Sequence, residues 1–165
     1  MSRRALVVVL PLLLGGCVTL AEPNVPRWPL TPQIIAGQEI AQLSTPTSTL
    51  TVEIADSAAE RTLGLSNRPS IGSDGLLFIF DEPGQPGIWM KDMQFAIDIV
   101  WLAQGQVVAI AKDARPQPGE SEAQLRVYRP PGEVDAVLEV AAGSAQAFGL
   151  EPGVKINIDE LRQGR

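Results

Sequence analysis

The chain contains no histidine and a single cysteine, Cys17. Without histidine, Ser-His-Asp and Cys-His catalysis and His-rich zinc sites are excluded. With one cysteine no intrachain disulfide can form, so packing alone must hold the fold. Aromatic residues make up only 5% of the 165, which leaves Val, Ile, Leu and Ala to build the core. Positive charge is scarce too: 13 Lys and Arg stand against 19 Asp and Glu, a formal charge of −6. That balance lacks the basic footprint of a nucleic-acid binder. It also lacks the polybasic patch that holds a protein to an anionic membrane surface, so membrane attachment must come from a lipid or from another protein. What is plentiful is Gly (15) and Pro (14), a composition of many turns and few long helices.

Long apolar runs are missing as well. The stretch Ala5–Leu14 has ten residues, where a membrane-spanning helix needs about 20. Behind Arg3 and Arg4 it has the length of the apolar part of an export signal. Leu14-Gly15-Gly16-Cys17 follows, which resembles a bacterial lipobox: a Leu three residues before the Cys, with small residues between that let the backbone lie extended in the signal peptidase. On this reading residues 1–16 are removed and Cys17 carries the lipid, which leaves 11 basic against 19 acidic residues and a charge of −8. Cleavage after Ala21, with Cys17 as an ordinary residue of the signal, is the alternative. Val18 in place of Asp resembles lipoproteins sent to the outer membrane, so the expected location is the envelope, at the outer membrane facing the periplasm. Pro at 23, 26, 29 and 32 cannot sustain a helix and favours an extended spacer, and 17–47 reads as the lipidated Cys and its tether.

The folded domain is expected over 48–160, with a tail at 161–165. Leu50–Ile54 alternates apolar and polar as a half-buried strand does. Ser57 with Glu60 three residues on is a capping-box pattern, predicting a short helix that stops near Gly64. Leu76–Phe80 reads as a buried strand. Ile97–Leu102 and Gln106–Ala111 flank Ala103-Gln104-Gly105 as a hairpin. Ile88–Met90, Gln124–Tyr128, Ala136–Ala141 and Val154–Ile158 are further strand candidates, and 143–149 suits a helical turn. Seven or so short strands with only one or two short helices predict an all-β sandwich or barrel.

Trp89-Met90-Lys91-Asp92-Met93, with Asp98 and Trp101 beyond it, is the segment richest in ligand-binding chemistry. Asp98 lies between Ile97 and Ile99, and alternation points it to solvent. If both sheet faces are covered it must instead be paired, because a lone buried carboxylate is costly; Arg61, Lys91 and Arg115 are the candidate partners. Asp74, Asp81 and Asp92 lack the spacing of an EF-hand, and no metal or other cofactor is expected.

Arg61-Thr62-Leu63-Gly64-Leu65, Asp74-Gly75-Leu76-Leu77-Phe78, Trp89-Met90-Lys91-Asp92, Ile97-Asp98-Ile99, Gly105, Val137-Leu138-Glu139-Val140, Gly143 and Gly153 occur in that order. Together they resemble the domain of unknown function 192 family over roughly 50–158. The resemblance implies a compact β-sandwich of jelly-roll type and brings no established activity. Family members usually read Met where this chain has Ser66 and Leu76, Asn-Thr where it has Asp92-Met93, and Leu where it has Ile97. The Asp92-Met93 exchange would alter polar ligand contacts made there.

Three functions follow as expectations. The first is a binding or accessory module outside the cytoplasm, with Arg61, Trp89, Lys91, Asp92, Asp98 and Glu139 lining a groove for a polar ligand such as a glycan. The second is a structural envelope protein in which Trp89 and Trp101 are core. The third is a glycoside-processing enzyme with Asp92 or Asp98 paired to Glu139, which requires carboxyl groups about 5–9.5 Å apart across an open cleft.

Overall fold

The computed structural model describes residues 39–158. The expected leader, the lipidation site Cys17, the Pro-spaced segment and the tail all lie outside the described residues. The described chain is an all-β domain with sandwich-like packing. Its elements are β1 (Ile40–Ser44), β2 (Thr49–Ala55), α1 (Ala58–Leu63), β3 (Gly75–Gly84), β4 (Ile88–Trp89), β5 (Ile97–Ala103), β6 (Gln106–Ala114), β7 (Val127–Tyr128), β8 (Val134–Ala141) and α2 (Ser144–Ala147), with one 3-10 turn at Glu122–Gln124. None of the described helices is long and apolar enough to cross a membrane.

Six strands form one mixed sheet in the order β1-β2-β3-β8-β5-β6, and β4 and β7 form a separate two-stranded ribbon. The pair β2–β3 is parallel and its neighbours are antiparallel. Parallel neighbours need a crossover connection, and residues 56–74, including α1, supply it. The expected capping box is formed: the Glu60 N–H donates to Ser57 Oγ at 3.2 Å, and the Ser57 N–H donates to the Glu60 carboxylate at 3.0 Å. Gly64 ends the helix at φ +50° and ψ −131°, a conformation open in practice only to glycine.

Both faces of the central strands are covered, so β3, β5 and β8 are near-continuous apolar runs. On one face Leu77, Val100, Leu102 and Leu138 pack with Ala145, Leu150 and Ile156 of α2 and the segment after it. On the other, Leu76, Phe78, Ile99 and Val137 pack with Leu65 and Met90. Trp101 belongs to this second core, 2% exposed, as the structural reading of that residue held. In the ribbon, Ile88 and Met90 turn inward while Trp89 between them faces out.

The structure moves the domain boundary expected at 48. β1 pairs with β2 from Ile40, Leu43 is buried, and Thr45–Ser48 is the hairpin turn between them. The Ser/Thr/Pro composition marked a turn inside the domain and not the end of a tether. The last expected strand, Val154–Ile158, buries Ile156 and Ile158 but makes only one bridge, Lys155 to Gln106.

Candidate functional site

Strand register decides where the acidic candidates fall. Residues directly opposite in a sheet share a face. Glu139 on β8 stands between Leu76 on β3 and Ile99 on β5, and Leu76 in turn stands beside Glu53 on β2. Glu53 and Glu139 therefore lie on one face, two strands apart, a backbone separation of about 10 Å at the usual interstrand spacing. Asp98 pairs with Val140, one residue along β8 from Glu139, and so lies on the opposite face.

Asp98 is buried and fully engaged. Its Oδ2 accepts from the Gly143 N–H at 2.9 Å and the Ala145 N–H at 3.3 Å, and its Oδ1 accepts from the Asp113 N–H at 2.9 Å. None of Arg61, Lys91 or Arg115 pairs with it. The expectation that it joins a ligand groove is therefore corrected: it is a cross-chain cap that fixes the start of α2 and the end of β6. Arg115 pairs with Asp113 at the surface. Asp98→Ala would strand backbone donors beneath the surface, at about 1–3 kcal/mol for a buried unsatisfied group. A loss of about 3 kcal/mol is expected in urea unfolding.

The other five candidates converge on the opposite side of the sheet. Arg61, Trp89 and Glu139 line one cavity of about 60 Å³, together with Thr62, Phe78 and Met93. Two shallower grooves adjoin it. One runs past Phe80 and Pro86, the other past Leu63, Lys91 and Asp92, and Trp89 borders both. Trp89 is 41% exposed, so it stands at the junction of the three hollows.

Each residue around Trp89 is held differently. Arg61 Nη1 donates to the backbone carbonyls of Asp56 and Ile79, and its guanidinium lies 5.3 Å from the Phe80 ring centre. This staples α1 to β3. Lys91 Nζ pairs with Glu122 at 2.6 Å and lies 5.6 Å from the centre of the Trp89 ring. The hydrogen bond to Glu122 raises its pKa. Asp92 is exposed and adopts φ +55°, and its carbonyl accepts from the Asn67 N–H at 2.8 Å. Asn and Asp are the side chains that best tolerate this left-handed conformation, so Asp92 in place of Asn preserves the turn while placing a charge on the rim.

Glu139 is the exceptional member. It is 4% exposed, on a central strand, and among the described residues no hydrogen bond reaches its carboxyl group. Burial pushes its pKa up to about 8, against the opposing pull of the Arg68 charge. At neutral pH it is mostly a neutral carboxylic acid, able to donate one hydrogen bond and accept others.

Two neighbours were missed in the sequence. Glu53 is fully buried and pairs with Arg68 at 2.8 Å; Ser73 Oγ also donates to it, at 3.3 Å. Alternation in Leu50–Ile54 suggested that Glu53 faced solvent, but β2 is an interior strand with both faces covered. Arg68, in Asn67-Arg68-Pro69, falls between the predicted helix and the predicted strand. The described residues contain no cluster of His, Cys, Asp or Glu that could hold a metal ion.

Comparison with known proteins agrees with this architecture. A crystal structure of a protein of unknown function from Novosphingobium aromaticivorans superimposes with a TM-score of 0.64 at 26% identity, covering 74% of this chain and 88% of that one. A candidate transcription regulator from Sinorhizobium meliloti superimposes with a TM-score of 0.61 at 29% identity, covering 73% of this chain and 92% of that one. No curated protein matches the sequence. Residues 40–158 match the sequence profile of the domain of unknown function 192 family, described as "Uncharacterized ACR", so by both its sequence and its described fold the chain belongs to that family.

Proposed function

We propose that the chain is a binding module of the bacterial envelope that takes a polar glycan on the surface around Trp89 and is held to the outer membrane, facing the periplasm, by a lipid on Cys17. One observation carries the binding half: a half-exposed indole beside a cavity lined by a buried carboxyl group that has no hydrogen-bond partner among the described residues. A flat aromatic ring covers the C–H face of a sugar, and polar groups beside it meet the hydroxyls. The envelope half is supported by the ten-residue apolar segment and Leu14-Gly15-Gly16-Cys17.

The enzyme reading loses support for both of its pairings, since Asp92 lines a groove that Glu139 does not reach. Asp98 and Glu139 lie on opposite faces, and Glu53, which shares a face with Glu139, is sealed in an ion pair. A regulator acting on nucleic acid, as the description of the Sinorhizobium protein suggests for that molecule, would need basic surface that a −6 chain does not supply.

Pull-down of the detergent-solubilised full chain on cell-wall and surface polysaccharide fractions tests the proposal. Wild type is expected in the bound fraction, and Trp89→Ala is expected to lose at least about tenfold in affinity with little change in stability, as for an aromatic anchor at the centre of a site. In cells, Cys17→Ala should abolish incorporation of labelled palmitate and release the protein from membranes. Equal retention of wild type and Trp89→Ala on every fraction would leave the domain a structural envelope protein.

A further inference from the structure

We infer that the cavity beside Trp89 receives the N-acetyl group of an amino sugar, its carbonyl oxygen accepting a hydrogen bond from the Glu139 carboxyl and its methyl group packing on Phe78, Met93 and Ile97. The inference rests on the glycan reading above and names the substrate class.

Size comes first. A volume of about 60 Å³ is less than half of the roughly 150 Å³ of a cavity that takes a benzene ring. It is too small for a pyranose ring and suited to a substituent of a few heavy atoms. The ring itself would stay outside, against the half-exposed Trp89.

The donor and acceptor pattern narrows the substituent. The Thr62 hydroxyl donates to the Ala58 carbonyl at 2.7 Å, and the Ser66 hydroxyl to the Lys91 carbonyl at 2.9 Å. Their protons are committed, so either hydroxyl of these two lining residues has only lone pairs to offer a ligand. Glu139 offers a carboxyl group that no described residue engages. Phe78, Leu65, Met93, Ile88 and Ile97 make up the apolar wall. A secondary amide with a methyl group supplies an acceptor for the acid, an N–H for a hydroxyl lone pair and an apolar end for the wall. A bare hydroxyl would leave that wall without contacts. A free ammonium would have to enter beside Arg61 and close to the Arg68 charge, which opposes it.

The test is calorimetric titration of the detergent-solubilised full chain with three β-1,4-linked trimers, of N-acetylglucosamine, glucose and glucosamine. The N-acetylated trimer is expected to bind at least about tenfold more tightly than either of the others, the value of one well-made buried hydrogen bond. Glu139→Gln keeps a neutral hydrogen-bond donor and should retain affinity within about threefold, while Glu139→Leu should lose about tenfold or more. Equal affinity for all three trimers would overturn the acetyl pocket and leave the glycan reading standing. Preference for glucosamine, lost in Glu139→Gln, would overturn it in favour of an ionised Glu139. If wild type binds none of the trimers but still binds a polysaccharide fraction through Trp89, the acetyl pocket alone fails. If it binds neither, both readings fail.

Discussion

Glu139→Gln is expected to make the protein more stable at pH 8 and to leave it nearly unchanged at pH 4.5. The sign follows from which state holds the proton. An exposed Glu in the unfolded chain titrates near 4.5, whereas in the fold the same group titrates near 8. Between those values the native state binds more protons than the unfolded state, so stability falls as pH rises. About 3.5 pH units at about 1.4 kcal/mol each give up to about 5 kcal/mol across the window. Gln has no charge to bury and removes that slope. The charged groups near the carboxyl, Arg68 and Glu53 from the crossover and β2 and Arg61 from α1, remain in place. For a domain between about 100 and 150 residues 1 kcal/mol corresponds to about 4 °C in melting temperature, so a gain of about 10 °C is expected at pH 8 for roughly 3 kcal/mol. Melting curves of both proteins from pH 4 to 8.5 read the effect directly; parallel curves would mean that Glu139 is not a buried acid. A side chain that lowers stability while Leu76 and Ile99 flank it on both sides is the pattern of a residue kept for function.

Removing Arg68 should have the opposite and comparably large consequence. Its guanidinium meets the Glu53 carboxylate at 2.8 Å with both groups out of water. Breaking a buried pair by deleting one partner leaves an uncompensated charge, which costs about 3–5 kcal/mol. Arg68→Met is therefore expected to lower stability by that amount in chemical denaturation at pH 7. It should also raise the Glu139 pKa further, because the one charge that lowers it is gone. The double variant Glu53→Gln/Arg68→Met should recover most of the loss, since replacing both partners removes the stranded charge. No recovery would mean that Arg68 acts through its packing in the crossover and not through the ion pair.

The success of the sequence in placing elements, and its failure in placing acids, have one physical origin. Ser57 and Glu60 were legible because a capping box is written within four residues. The β5–β6 hairpin was legible for the same reason. Burial of an acid depends on which strands lie beside its own, and those come from far along the chain. Glu53 looked surface-exposed because alternation reports that two faces differ, not that one of them is wet. Asp98 finds its partners at 113, 143 and 145, none of which carries a mark in the sequence of having to meet it. Glu139 was visible as part of Val137-Leu138-Glu139-Val140, but only the positions of β3 and β5 on either side show it to be enclosed.

The helix α1 buries no residue, although Arg61 and Thr62 in it form part of the cavity wall. Its hydrogen-bonded hold on the sheet is the Arg61 guanidinium on the Ile79 carbonyl and the Phe80 ring, contacts of the order of 1 kcal/mol each. Segments secured so lightly open at free energies well below that of global unfolding. The wall around Glu139 is therefore expected to open locally while the six strands stay paired, and the glycan substituent proposed above would enter and leave by way of α1.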